Sequence, residues 1–154
     1  YQWLAAGRPI PGATAPTLTL GPDQVGRAIT VVATASFDGR SVSARSAATA
    51  RVARATSTLS AVVDPGQVKV FPARGWRTAT LTITATATGG VPVDGLVVVT
   101  VQGALPTAGI MRHGVLNLQV GPFLRTGTSR ISVAYLGSKS VAPSQTTTSV
   151  VVVR

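Results

Sequence analysis

Residues Thr78 to Thr88 alternate without a break. Ala79, Leu81, Ile83, Ala85 and Ala87 stand between six threonines. Side chains that alternate with period two line opposite faces of a β-strand, whereas a helix repeats every 3.6 residues. This stretch therefore reads as a half-buried strand with one apolar and one hydroxyl face. The same period recurs. In Ala28–Phe37, Ile29, Val31, Ala33 and Ala35 share a face against Thr30, Thr34 and Ser36. In Val115–Val120, Leu116, Leu118 and Val120 oppose Asn117 and Gln119. Ile131, Val133 and Tyr135 form a further inward set. The final strand, Thr146 to Val153, ends in four valines, as in a strand buried on both faces.

Composition points the same way. The 154 residues include 23 valines and 21 threonines, which suit a pleated sheet and are stiff in a helix. Turn signals separate the strands: Gly21-Pro22-Asp23, Asp38-Gly39, Asp64-Pro65-Gly66, Gly89-Gly90, Asp94-Gly95 and Arg112-His113-Gly114. Asp38-Gly39 between two alternating runs predicts a tight hairpin with positive φ. Strands at intervals of about 8–12 residues predict an all-β sandwich or barrel.

A small-residue stretch, Ser46 to Ala50, precedes Arg51-Val52-Ala53-Arg54-Ala55, and a new apolar strand starts at Thr56. The expected division is therefore residues 1–53 and 54–154. The chain opens inside a strand-like segment, which reads as a fragment of a longer protein.

The net charge of +10 comes from 12 arginines and two lysines against four aspartates. Such a balance attracts anionic partners. The basic residues are scattered, however, with no run and no interleaved aromatic stripe, so specific nucleic-acid binding is not expected. The absence of cysteine removes disulfides, a thiolate nucleophile and cysteine-ligated metal.

Catalysis needs positioned titratable groups. Asp23, Asp38, Asp64 and Asp94 each lie beside Gly or Pro and read as turn residues. His113 also lies in a turn. There is no glutamate, no Gly-x-Ser-x-Gly elbow and no Gly-Lys-Ser/Thr phosphate loop. The expectation is a non-enzyme with no cofactor and no metal. Trp76, between Arg74 and Arg77, stands outside the alternating set and is a candidate contact for a sugar ring or a protein partner.

Two stretches resemble bacterial immunoglobulin-like repeats of secreted and cell-surface proteins. The first is carried by Tyr1-Gln2-Trp3-Leu4, Gly7-Arg8-Pro9-Ile10, Gly12-Ala13-Thr14, Leu18-Thr19-Leu20 and Asp23-Gln24-Val25-Gly26-Arg27-Ala28-Ile29-Thr30-Val31. The second, looser match rests on Thr80-Leu81-Thr82-Ile83-Thr84-Ala85, Pro92-x-x-Gly95-x-Val97-x-Val99 and Gly127-Thr128-x-x-Ile131-x-Val133-x-Tyr135-x-Gly137. Ser138 stands where that family usually carries an aspartate. The resemblance implies tandem immunoglobulin-like β-sandwiches with Greek-key, antiparallel sheets. The first module would lack its opening strands and the second would be complete. Trp3, Ile29, Val31, Leu81, Ile83, Ile131, Val133 and Tyr135 would form the cores. The implied role is an extracellular structural or adhesive spacer, whose partners are other domains of a parent chain, a glycan or another protein. Strand complementation by another chain would serve the first module. A carbohydrate-binding accessory of a secreted hydrolase and a phage virion decoration are the alternatives.

Overall fold

The computed structural model describes residues 1–69 and 78–154 and is all-β, with antiparallel sheets. Two compact units make up the chain, Tyr1–Arg54 and Ala55–Arg154.

The first unit contains β1 (Gln2–Ala5), β2 (Arg8–Pro9), β3 (Ile29–Phe37) and β4 (Arg40–Arg45). They form one sheet in the order β2-β1-β3-β4. Both hairpins turn on two residues of positive φ, Ala6 (48°) with Gly7 (80°) and Asp38 (47°) with Gly39 (72°). That pairing is a type I′ turn, whose twist matches the strands it joins. Beyond β4 the chain continues along β3. Ser46 and Thr49 donate their amides to the carbonyls of Val31 and Ile29, and their hydroxyls accept from the amides of the same two residues. Register places Trp3 opposite Val31 and Ala5 opposite Ile29, with Ala33–Ala44 and Ala35–Val42 on the same face. Ile29 and Ala5 are buried there, while Trp3 and Val31 are half-buried and Val42 is 73% exposed. The indole of Trp3 donates to the Ala15 carbonyl at 2.9 Å. The described residues of this unit form a single sheet and not a sandwich.

The second unit contains β5 (Ser57–Asp64), β6 (Gln67–Lys69), β7 (Ala79–Ala87), β8 (Gly95–Val101), β9 (Thr107–Met111), β10 (Val115–Val120), β11 (Gly127–Tyr135) and β12 (Ser144–Val153). One sheet runs β10-β7-β5 and the other β6-β12-β11-β8-β9. All ladders are antiparallel except β6 with β12. The chain thus changes sheet between β5 and β6, through the turn at Pro65-Gly66.

A single hydrophobic core joins the two sheets. Leu59, Val63, Leu81, Ile83, Ala85 and Val120 come from the three-stranded sheet. Val68, Val97, Val99, Met111, Ile131, Val133, Tyr135, Val150 and Val152 come from the five-stranded one. The alternation of β7 is realised as expected: Ala79, Leu81, Ile83 and Ala85 face inward, while Thr80, Thr84 and Thr86 are exposed. The valine run of β12 corrects the expectation of burial on both faces. Val150 and Val152 are buried, but Val151 is 42% exposed. Each sheet has only one covered face, so even a valine-rich strand alternates.

The order β2-β1-β3-β4 in the first unit repeats β9-β8-β11-β12 in the second. Each begins with a strand and a hairpin outward. The chain then returns to the inner side of the first strand and makes a second hairpin.

Candidate functional site

At one end of the second unit, three loops converge. Gly95 opens β8, Tyr135 closes β11, and His113-Gly114 turns β9 into β10. His113 (φ 50°) and Gly114 (φ 75°) make another type I′ turn. The Asp94 carboxylate accepts the His113 backbone N–H at 2.7 Å. The Asp94 carbonyl accepts the buried Tyr135 hydroxyl at 2.9 Å. Gly114 donates to the Val93 carbonyl, and Ala85 donates to the Gly114 carbonyl. Asp94 is therefore a turn residue in physical terms. Its carboxylate organises backbone, and the contact runs to the amide of His113.

A cleft of about 670 Å³ lies at the other end, between the β8–β9 and β10–β11 loops. Gln102, Gly103, Phe123, Arg125, Thr128 and Ser129 are among its lining residues. Phe123 is buried, whereas Leu124 and Arg125 are exposed. A guanidinium and several hydroxyls give this cleft hydrogen-bonding capacity for a polar group. Its serine and threonines stand at the opposite end of β8 and β11 from His113.

Among the described residues no group of three or more His, Asp or Glu side chains is placed to hold a metal ion. Among the described residues no helix is long and apolar enough to cross a membrane. Trp76, Arg74 and Arg77, the candidate recognition residues, lie outside the described residues.

Sequence reasoning missed two surfaces. One is the cleft, whose only sequence signal is the loop Gly121-Pro122-Phe123-Leu124-Arg125 with its exposed leucine and arginine. The other is the outer face of the five-stranded sheet around β9. There Ile110 is 62%, Leu96 43% and Leu136 53% exposed.

Comparisons with protein-family models, curated proteins and solved structures return no match to this chain.

Proposed function

We propose that the chain is part of a non-catalytic extracellular protein built from tandem immunoglobulin-like modules, acting as a spacer, stalk or adhesive segment. The observation that carries this reading is the strand distribution of Ala55–Arg154. β5, β7 and β10 lie on one side, and β8, β11 and β12 on the other. Lettered A to G as in an immunoglobulin sandwich, these are A, B and E against C, F and G. β6 and β9 are the additional edge strands. The repeated order β2-β1-β3-β4 supports a second module of the same kind. On this reading the apolar face of Trp3, Val31, Ala35 and Val42 takes its cover from strands outside residues 1–54, in the same protein or another chain.

The outer face of the three-stranded sheet favours a passive role. Thr80, Thr84 and Thr86 present hydroxyls to solvent, and Asp94 is committed to holding a turn. Such surfaces keep a projecting module soluble.

An antibody raised against the chain tests the location. It should label intact cells that make the protein, and external protease should remove the signal. Labelling seen only after permeabilisation would overturn the extracellular reading. Retention on insoluble polysaccharide, lost in Trp76→Ala, would replace the spacer reading with glycan binding.

A further inference from the structure

The outer face of the five-stranded sheet carries a trough along β11, its central strand. The outward residues there are Thr128, Arg130, Ser132 and Ala134. Ser132 lies between Thr100 of β8 and Thr147 of β12, and Ala134 lies between Val98 and Gln145. Each small side chain is flanked by larger ones on strands about 4.8 Å away, so a groove follows the strand. Two depressions mark it, of about 470 and 370 Å³, and they share Thr100 and Ser132. The smaller one shares Gln102 with the loop cleft of about 670 Å³. From Ala134 to Thr128 the path covers about 20 Å of strand.

Hydroxyl, amide and guanidinium groups line this path. Gln102 donates its backbone N–H to the Arg130 carbonyl at 2.9 Å, and its side-chain oxygen accepts the Arg130 N–H at 3.4 Å. The carboxamide is thereby held by its oxygen, which leaves its NH2 for an acceptor on a ligand. Beside it Thr100, Ser132 and Thr147 form a row of three hydroxyls across the sheet. Arg130 stands in the trough and Arg125 in the cleft, both exposed to solvent. Among the described residues that line the trough and the cleft there is no carboxylate. The opposite sheet differs: β5, β7 and β10 together carry one charged side chain, Asp64.

We infer that the trough binds an acidic polysaccharide, a chain of sugar rings that carry carboxylates. Residues 55–154 hold eight Lys and Arg against two Asp, a net charge of +6 whose field draws a polyanion in. Once it arrives, the planar guanidiniums of Arg130 and Arg125 match a carboxylate in two-pronged geometry. The hydroxyl row and the Gln102 NH2 exchange hydrogen bonds with the sugar hydroxyls between the carboxylates. Phe123 and Tyr135, the described aromatic residues of this unit, are buried. Among the described residues no ring is therefore offered for stacking, the contact on which single-stranded nucleic acid relies. A neutral glycan would forgo both charge-assisted contacts. The inference rests on the shape and chemistry of one sheet face, and a failed surface-labelling experiment would leave it standing.

Isothermal titration of the full chain with oligomers of polygalacturonate, alginate and hyaluronan tests the inference. At least one of the three should bind, and its methyl ester, which keeps every ring and removes the charge, should bind about tenfold more weakly or less. Arg130→Gln should weaken binding about tenfold. Ser132→Leu leaves the charge unchanged but fills the trough at an exposed position, and it should weaken binding by a similar factor. Arg112→Gln removes the same charge at the opposite end of the unit and should change binding by less than about twofold. All three variants should keep the circular dichroism of the parent chain. Failure of all three polymers to bind overturns the inference. Equal losses in Arg112→Gln and Arg130→Gln, or undiminished binding by Ser132→Leu, also overturn it, because net charge alone would then hold the polymer. Single-stranded DNA or polyphosphate that binds as tightly as the acidic polysaccharide overturns the assignment to sugar.

Discussion

The Tyr135 hydroxyl donates to the backbone carbonyl of Asp94 at 2.9 Å, across a sequence separation of 41 residues. The bond ties the end of β11 to the start of β8, on the strand it already pairs with. The Asp94 carboxylate extends the link to the β9–β10 turn through the His113 amide. One residue thus connects three loops at one end of the second unit.

Tyr135→Phe keeps the buried ring and removes only the hydroxyl. The Asp94 carbonyl then loses its partner in a partly buried place. A loss of about 1–2 kcal/mol is expected, read as a lower urea midpoint with an unchanged slope.

Glycine substitutions should separate strain from collision. Gly103 and Gly114 both have positive φ, 81° and 75°. A Cβ at Gly103 meets nothing within 4 Å, whereas one at Gly114 would lie 2.4 Å from the Ala85 carbonyl oxygen. Gly103→Ala should cost about 1–2 kcal/mol for the left-handed backbone alone. Gly114→Ala adds a clash with backbone and should cost clearly more, about 3 kcal/mol or greater. Parallel urea titrations compare them, and equal losses would contradict the geometry.

The strand alternation was legible because β7 mixes two residue classes. Threonine and aliphatic residues sort themselves onto faces, so Leu81 and Ile83 could be assigned inward from the sequence alone. β12 was not legible in the same way. Its closing valines are chemically uniform, so the chain carries no mark of which valine meets solvent. The Tyr135–Asp94 bond was also hidden, because it depends on sheet register between distant segments. β6 and β9 are too short for periodicity, and β9 is interrupted by Gly109, packed against Leu116 and Leu118. The turns at Asp38-Gly39 and His113-Gly114 were legible, since left-handed backbone selects for glycine locally. Ala6-Gly7 was missed because alanine is an uncommon choice at that position.

The uniform end of β12 supplies a test by threonine scanning. Val150 is fully buried and Val151 is 42% exposed. Val150→Thr buries a hydroxyl in an apolar core and should cost about 1–3 kcal/mol. Val151→Thr should change stability by less than about 0.5 kcal/mol. Thermal unfolding of the two variants reads the difference directly.

Ala6 is a site for stabilisation. Its φ of 48° is strained for alanine and is a favoured conformation for asparagine before glycine. Ala6→Asn should stabilise the first unit by about 0.5–1 kcal/mol. Hydrogen exchange at the β1–β3 ladder measures the gain.

The central claim is that Ala55–Arg154 is a self-contained module with its core shared between a three-stranded and a five-stranded sheet. Chemical denaturation of that segment alone, followed by tyrosine fluorescence and far-ultraviolet circular dichroism, tests it most directly. The prediction is one cooperative transition seen identically by both probes, at the midpoint the same segment shows in the full chain. A segment that fails to fold alone, or that unfolds in two separate steps, would contradict it.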